Sequence, residues 1–281
     1  MAYMRAAGYS LFCGPDLILP PSGTMADSDL PAFDTLSLTG FGELPEGEEL
    51  PAGFSGAMFS FGGRRYMAAE LDEERAAVIQ GASRLPLRQF IGSAHDGAAA
   101  FVLKARAYAH WSSVSRHCSF CGAPLSEGRG RESEGAKVCE ACGRAFFPRI
   151  SPAVITLVRR GREILLAHNA KFPSGRHGLI AGFVEPGETL EETVAREVME
   201  EAGIEIGEPR YVRSQPWPFP DSLMIAFEAE YRSGEARPDG EEIDHLGWFA
   251  PENLPDIPPP GSVARFLIDR FIASLKPAGN S

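Results

Sequence analysis

The segment GFVEPGETLEETVAREVMEEAGI, residues 182–204, specifies a helix with a defined start and a defined end. Thr189 and Glu192 form a capping box, which predicts that the helix begins near Leu190. Gly203 predicts where it ends, because glycine readily takes the left-handed conformation that closes many helices. Apolar residues recur every four positions between these signals and predict one buried face: Leu190, Val194 and Val198.

Glutamate is dense in this segment, with seven glutamates and a single arginine in 23 residues. Glu197 and Glu201 are four positions apart, so their carboxylates lie on one helical face, and Glu200 falls between them in angle. Like charges at that spacing repel each other, and a helix selected only for stability would alternate them with lysine. The pattern indicates either a solvated acidic face or a site for a hard cation such as Mg²⁺ or Mn²⁺, which prefers oxygen ligands.

Four of the five cysteines form two Cys-x-x-Cys knuckles separated by 17 residues: Cys118 and Cys121, then Cys139 and Cys142. This spacing is typical of a zinc ribbon, in which four thiolates surround one Zn²⁺ ion. The alternative is a pair of disulfides or redox dithiols, and the lack of an export signal disfavours disulfides. We expect one structural zinc per chain, because four protein ligands leave no open coordination position.

Composition argues against several classes of function. The net charge of −11 disfavours a non-specific nucleic-acid binder, since phosphate affinity needs clustered lysine and arginine. No apolar run approaches the ~18 residues of a membrane span, and the amino terminus lacks the apolar centre of a signal peptide. We expect a cytoplasmic protein with no membrane association.

The pattern of residues along the chain changes twice. These changes predict an α/β protein with three domains. Residues 1–112 are rich in turns and include one alanine-rich helical stretch, which indicates a small α+β domain. The cysteines define a zinc ribbon over residues 113–148. From 149 to 281, strand patterns alternate with two helices and predict an α/β sandwich. The last helix has a predicted buried stripe of Val263, Phe266, Leu267, Phe271 and Leu275.

The glutamate helix and the loop before it together resemble the Nudix box. The matching pattern is Gly182, five residues, Glu188, seven residues, and then REVMEEAGI over residues 196–204. The resemblance identifies the chain as a member of the Nudix hydrolase family and implies an α/β/α sandwich. Nudix hydrolases cleave a nucleoside diphosphate linked to another group, using a divalent metal ion and an attacking water.

The resemblance implies a role for each matching residue. Glu197 and Glu201 match the Mg²⁺ or Mn²⁺ ligands, with Glu200 close to them. Glu188 and Arg196 match the pair that ties the loop to the helix. All five are therefore expected to serve catalysis.

A second motif, SQPWPFPDS over residues 214–222, begins ten positions after the box. Its three prolines stiffen the loop and hold a glutamine and two aromatic residues in place. Composition alone equally allows a structural loop in which Trp217 and Phe219 fill a core. The motif resembles the marker of the NADH pyrophosphatase subfamily, whose members carry an N-terminal domain, a four-cysteine zinc ribbon and a C-terminal Nudix domain.

Further positions match metal or substrate contacts of that subfamily. The backbone carbonyl of Ala181 matches a metal ligand, and Glu242 matches an acidic ligand and candidate base, with Glu241 as its alternative. The resemblance implies substrate contacts at these positions: Glu134, Phe147, Phe183, Gln215, Pro216, Trp217, Pro218, Phe219, Pro220, Asp221 and Ala264.

The subfamily resemblance implies hydrolysis of NADH to reduced nicotinamide mononucleotide and AMP by a homodimer. Some members also remove NAD caps from RNA 5′ ends. Two alternatives remain open: hydrolysis of another dinucleotide, such as ADP-ribose or NADPH, and a catalytically silent zinc-ribbon and Nudix protein that binds RNA. The marker loop argues against ADP-ribose, and the intact glutamates with Arg196 argue against a silent site.

Overall fold

The computed structural model describes residues 9–19, 56–77, 83–94, 96–128, 135–171, 173 and 175–275. The chain forms two compact units. The N-terminal unit extends to Ile150 and includes Pro218–Asp221, while the C-terminal unit comprises Ser151–Trp217 and the chain from Ser222 onward. The cysteine region therefore shares a unit with the region before it.

Before the cysteine region, the described residues of the N-terminal unit form a five-stranded sheet and three helices. Its strands are β1 (Tyr9–Cys13), β2 (Asp16–Leu19), β3 (Ala57–Phe61), β4 (Arg64–Leu71) and β5 (Ser83–Pro86). Within the described residues they form one sheet in the order β3-β4-β1-β2-β5, with β1 and β4 parallel. The helices are α1 (Glu73–Ala77), α2 (Leu87–Ser93) and α3 (Asp96–Val114). This arrangement confirms the predicted α+β character.

The long helix α3 packs on the sheet through aromatic side chains. Phe101 of α3 meets Tyr66 of β4 edge to face, with ring centroids 4.9 Å apart, and lies 5.5 Å from Phe59 of β3. Buried aromatic pairs in this geometry contribute both apolar burial and a favourable ring contact. The helix is thereby fixed on the sheet, and its last turn leads into the cysteine region.

Three short antiparallel strands follow α3: β6 (Ser126–Glu127), β7 (Lys137–Val138) and β8 (Ala145–Phe146). Lys137 is buried, and its Nζ donates to the carbonyls of Ser112 and Ser115 at 2.8 and 2.9 Å. The last carbonyls of a helix lack intrahelical partners and favour a nearby cation. Lys137 therefore joins the ribbon to the end of α3.

The C-terminal unit contains seven strands and two α-helices among its described residues. The strands are β9 (Ser151–Arg160), β10 (Glu163–Asn169), β11 (Ile180–Phe183), β12 (Ile204–Ile206), β13 (Arg210–Trp217), β14 (Ser222–Gly234) and β15 (Ile243–Phe249). The helices are α4 (Leu190–Ala202) and α5 (Val263–Ser274), and Pro251–Asn253 forms a 3-10 turn. The strand order is β12-β14-β9-β10-β15, with β11 paired to β9 and β13 paired to β14.

Strand β9 lies at the centre of this unit and contributes to both faces of the sheet. Side chains alternate between the two faces of a strand, so Ile155 and Leu157 point one way and Val154 and Val158 the other. The first pair packs with the buried residues of α5, and the second pair belongs to the clusters that contain the buried residues of α4. One helix therefore covers each face, which confirms the α/β/α sandwich.

Helix α5 departs from its predicted stripe at one position. Leu267 and Ile268 are fully buried, but Phe266 is 38% exposed and stacks with Arg213, whose Cζ lies 4.4 Å from the ring centroid. The buried face includes Ala264 and Ile268, which the stripe omitted, so the prediction was wrong for Phe266.

No helix in the described part of the chain combines the length and apolarity needed to cross a bilayer.

Candidate active site

Helix α4 has both predicted caps. Thr189 Oγ1 accepts a hydrogen bond from the Glu192 backbone N–H at 3.2 Å, and the Glu192 carboxylate accepts one from the Thr189 N–H at 2.8 Å. Gly203 closes the helix with φ 66°. Val194 and Val198 are fully buried against the sheet. These contacts fix the rotation of the helix and hence the direction of its glutamates.

The guanidinium of Arg196 binds the carboxylate of Glu188 through two parallel hydrogen bonds, at 2.6 and 2.9 Å. Glu188 also accepts from the Glu185 backbone N–H and from Thr193 Oγ1. Hydrogen bonds from Arg196 are the main reason that the pKa of Glu188 falls to about 2. Arg196 further donates to the carbonyl of Phe183 at 3.0 Å. The loop before the helix is thus tied to the helix and to the end of β11.

The same guanidinium reaches two more carboxylates. Its Nη1 donates to Glu197 at 2.8 Å and to Glu200 at 2.9 Å. Burial raises the pKa of Glu197, and the hydrogen bond from Arg196 opposes that rise. Three glutamates therefore share one arginine, which keeps like charges close together on this side of the helix.

Glu201 is the most enclosed carboxylate of the group, with 8% of its surface exposed. Burial is the main reason that its pKa rises to about 8, and the charges of Glu197, Glu242 and Asp239 raise it further. A hydrogen bond from the backbone N–H of Ala181 acts in the opposite direction. A buried carboxyl facing several acids is a place where positive charge would be strongly stabilised.

A tight turn before β15 positions Glu242 so that its charge acts on Glu201. Asp239 Oδ1 accepts hydrogen bonds from the backbone N–H groups of Glu241, Glu242 and Ile243, at 3.0, 3.1 and 2.8 Å. These bonds, led by that of Ile243, lower the pKa of Asp239. Of the two candidates, Glu242 is the one whose charge acts on Glu201. Sequence reasoning missed Asp239, although an aspartate followed by glycine is a recognisable turn signal.

Gly182 has a steric role that its place in the motif does not reveal. It lies on β11 opposite Val154 of β9. A β-carbon at this position would overlap the carboxylate of Glu197. The absent side chain therefore lets the strand approach α4 closely enough for Glu197 to lie beside it.

The donor set around Glu201 fits a hard divalent cation. Carboxylate oxygens from Glu197, Glu201 and Glu242 are the ligand type that Mg²⁺ and Mn²⁺ prefer. In the described ranges, the one group of three or more His, Cys, Asp or Glu ligand atoms that lies within 4.8 Å is formed by cysteines. The ligand roles of the three glutamates and of the Ala181 carbonyl therefore stay predictions.

The four predicted zinc ligands come together at one point. Cys118 and Cys142 have their sulfurs 3.7 Å apart, and Cys121 and Cys139 have theirs 3.5 Å apart. A tetrahedral site with Zn–S bonds of ~2.3 Å separates its sulfurs by about 3.8 Å. Tight turns form each knuckle, with Gly122 and Gly143 at φ 75° and 73°. All four cysteines are free thiols, so the geometry fits a four-sulfur zinc site.

The marker loop uses Gln215 within the fold. Its Nε2 donates to the Gly261 carbonyl at 2.7 Å, and its Oε1 accepts from the Val263 N–H at 2.7 Å. Both ends of the amide thus hold the segment that starts α5. Trp217 is half-buried and Pro216 exposed. The structure gives Gln215 a backbone-binding role beside its predicted substrate contact.

The residues Pro218 to Asp221 belong to the N-terminal unit. Pro218 is buried, and the Phe219–Pro220 peptide bond is cis. The Arg88 guanidinium lies 4.9 Å from the ring centroid of Phe219, and Asp221 pairs with Arg149 at 3.7 Å. Part of the marker is therefore packed rather than freely presented.

The remaining predicted contacts are scattered between the two units. Phe183 at the end of β11 is 54% exposed, and Phe147 after β8 is 57% exposed. Ala264 is buried in the first turn of α5. Glu134 lies outside the described residues. Two large exposed aromatic rings are thus available for stacking, one in each unit.

Comparisons with known proteins agree with these features. A model of the NUDIX domain matches residues 148–267. The NAD-capped RNA hydrolase NudC of Stutzerimonas stutzeri is 42% identical over 225 residues, which cover 80% of this chain and 80% of that protein. Proteins of the same name from Citrobacter koseri and Yersinia enterocolitica are 48% and 51% identical over 161 and 154 residues. These matches cover 57% and 55% of this chain, and 62% and 58% of the relatives. The chain belongs to the Nudix hydrolase family and, within it, to the NADH pyrophosphatase subfamily.

Proposed function

We propose that this protein hydrolyses the pyrophosphate bond of NADH and NAD, releasing nicotinamide mononucleotide and AMP, and removes NAD caps from RNA 5′ ends. The observation that carries the proposal is the buried carboxyl of Glu201, with a pKa of about 8, facing the charges of Glu197 and Glu242. The relative from S. stutzeri, which matches 80% of the chain, is named for hydrolysis of NAD-capped RNA.

Within this proposal, Mg²⁺ or Mn²⁺ would supply charge for the phosphate oxygens and lower the pKa of an attacking water. Glu197, Glu201 and Glu242 would hold that cation, with the Ala181 carbonyl as a fourth ligand. Arg196 keeps Glu197 in place, because it donates to that carboxylate at 2.8 Å. Glu242 is exposed and is proposed to take the proton from the water.

The substrate contacts are proposed on two grounds. Phe183 presents an exposed ring next to the carbonyl that Arg196 binds, so it can stack on a nicotinamide without reorganising the strand. Phe147, Glu134, Ala264 and the marker residues 215–221 are assigned by the subfamily resemblance. Zinc in the cysteine site is proposed to be structural, since four thiolates complete its coordination. We also propose a cytoplasmic homodimer.

The test is to incubate the purified protein with NADH and Mg²⁺ or Mn²⁺ and to measure AMP by chromatography. We expect AMP and reduced nicotinamide mononucleotide in equal amounts, and loss of most turnover in Glu201→Gln. Glu242→Gln should also lose turnover, and Glu241→Gln is its matched control, because Glu241 lies on the same turn but is not the residue whose charge acts on Glu201. Absence of AMP with NADH, but its release from ADP-ribose, would replace the proposed substrate. No turnover with any dinucleotide, together with RNA binding, would favour a silent binding protein.

A further inference from the structure

The zinc ribbon presents an aromatic ring to solvent at the tip of its first knuckle. Phe120 lies between Cys118, which is 3% exposed, and Cys121, yet Phe120 itself is 67% exposed. Leaving a phenylalanine ring in water forgoes the stabilisation that burial of its apolar surface would give. An exposed aromatic ring can serve as a platform on which a planar base stacks.

An arginine is held directly over this ring. The Cζ of Arg144 lies 3.5 Å from the ring centroid of Phe120, and the Arg144 side chain also forms a hydrogen bond with Cys142. No carboxylate in the described part of the chain forms an ion pair with Arg144. The guanidinium is therefore positioned by the knuckles while its positive charge is not cancelled by an acidic side chain.

The charge of this region is opposite to that of the whole protein. Residues 113–150 carry six Lys and Arg and four Asp and Glu, a net charge of +2, while the chain as a whole has −11. Lys137 is buried and Arg149 pairs with Asp221 at 3.7 Å, whereas Arg116 and Arg144 are exposed. The ribbon region therefore offers exposed arginines on an otherwise acidic protein, and such side chains can contact phosphates.

We propose that the Phe120–Arg144 stack binds the RNA chain of a capped transcript, with one unpaired base on the aromatic ring and the adjacent phosphate near the guanidinium. Aromatic rings and arginine planes are the groups on which proteins stack single-stranded bases, because every base offers a π face. A duplex would not present such a base, so the ligand is single-stranded. The inference rests on the proposed function for the capped substrate, but it adds a contact that the dinucleotide does not need.

The test compares two substrates in each variant: NADH, and an NAD-capped single-stranded RNA of about ten nucleotides, a length within the site sizes of single-strand binders. We expect Phe120→Leu to raise KM for the capped RNA about 5- to 10-fold, in the range of base–aromatic stacking. KM and kcat for NADH should stay within about twofold, since the dinucleotide has no further base to stack. Phe120→Trp should retain the wild-type KM for capped RNA, because it keeps the π face.

Arg144→Gln should weaken the salt dependence of KM for the capped RNA by removing one phosphate contact. Tyr211→Leu is the matched control, an exposed aromatic at 61% on β13, and should leave both substrates unaffected. Zinc content and melting temperature of each variant show that the knuckles are intact. An equal rise in KM for NADH and for the capped RNA would overturn the proposal. An unchanged KM for the capped RNA in Phe120→Leu, or an unchanged salt dependence of that KM in Arg144→Gln, would overturn it as well.

A binding measurement separates this proposal from the proposed function. Fluorescence anisotropy with a 5′-monophosphorylated RNA of the same sequence reports contact with the ribbon without any turnover. If NADH and capped RNA were both left intact, the proposed function would fail, but weaker RNA binding in Phe120→Leu than in Tyr211→Leu would still support the stack. Equal RNA binding by these two variants would reject it whatever the catalytic result.

Discussion

Gly182 leaves open the space that the carboxylate of Glu197 occupies, since a β-carbon on residue 182 would overlap it. Gly182→Ala should therefore displace Glu197 and lower kcat about 100-fold, the usual cost of misplacing a catalytic group by about 1 Å. Turnover of NADH with Mn²⁺ measures the effect. Gly207→Ala is the control, because a β-carbon there would lie 3.7 Å from the Glu230 carbonyl, an ordinary contact. Equal loss in both variants would contradict the steric explanation.

Because of Glu201, the stability of the metal-free protein should fall as pH rises, whereas the affinity for a divalent cation should increase. Its pKa is about 8 in the fold, raised first by burial, and about 4.3 in an unfolded chain. Between these values the folded protein holds a proton that the unfolded chain has lost, so metal-free stability falls as pH rises through the window. The cation competes with that proton, so Mn²⁺ should bind more tightly from about pH 6 to about pH 8.

Calorimetric titration with Mn²⁺ at a series of pH values, together with metal-free melting curves, checks both trends. Glu201→Gln should flatten the pH dependence of melting and weaken Mn²⁺ binding at high pH. A dissociation constant for Mn²⁺ that does not change across the window would rule out Glu201 as the group that controls binding.

The pair of Glu188 and Arg196 should stabilise the protein at neutral pH and lose that effect in acid. Hydrogen bonds from Arg196 hold the pKa of Glu188 at about 2, below the unfolded value of about 4.3. The stabilisation is complete above the higher value and disappears as pH falls through the lower one. Glu188→Gln should therefore melt below the wild type at pH 7, with a gap that narrows toward about pH 2.

Glu191→Gln serves as the control for this pair, since Glu191 is an exposed glutamate of the same helix. Its melting temperature should follow that of the wild type across the acid range. If both variants lost stability alike, the loss would come from helix charge rather than from the contact with Arg196.

Lys137 should link the ribbon to the stability of helix α3. Lys137→Met leaves the carbonyls of Ser112 and Ser115 without their donor and should cost about 1–3 kcal/mol of unfolding free energy. Urea unfolding measures this cost. Lys104→Met is the control, because Lys104 also donates to a backbone carbonyl, that of Ser60, but in an exposed place. A cost no greater than that of the control would mean that the buried contact adds nothing.

Removal of zinc should also lower the stability of the protein. Chelation should lower the melting temperature more than it lowers turnover at a temperature where the protein stays folded, because the metal organises the knuckles rather than the chemistry. Loss of turnover with an unchanged melting temperature would contradict a structural zinc.

Gln215 should matter for stability through both ends of its amide. Gln215→Ala removes the partner of the Gly261 carbonyl and of the Val263 N–H; because the first contact is exposed and the second half-buried, we expect a cost of about 1 kcal/mol. Gln215→Glu keeps the acceptor for Val263 but sets a carboxylate oxygen against the Gly261 carbonyl oxygen, so at pH 7 it should be at least as destabilised as Gln215→Ala. Urea unfolding and KM for NADH are measured together. Unchanged stability in both variants, with a raised KM, would show that substrate binding is its main role.

Local features of the site were predictable from sequence because short-range chemistry determines them. The capping box at Thr189, the glycine stop at Gly203 and the buried valines of α4 all depend on neighbours within a few positions. The four cysteines could be grouped for the same reason, since knuckle spacing restricts how their thiolates meet.

Contacts between distant segments were not predictable in this way. The residues next to Gly182 in the sequence do not indicate that Glu197 lies against it. Those next to Gln215 do not indicate its hydrogen bonds to Gly261 and Val263. The exposure of Phe266 follows from how α5 is rotated on the sheet, which periodicity determines only to within one position. Such facts depend on how strands and helices pack, not on the order of nearby residues.

The parallel pairing of β9 with β14 has a consequence for the newly made chain. It sets Ser151 against Ser222, 71 positions later, and α4 lies inside the loop that this pairing closes. The chain must close this long loop, at a cost in entropy, before the strand pairing can stabilise the fold. The pairing therefore forms slowly. During synthesis α4 leaves the ribosome after β9, β10 and β11 but before β14, so the sheet beneath it is still incomplete. The acidic side chains of α4 can therefore converge with Glu242 only after β14 and the turn before β15 have been translated.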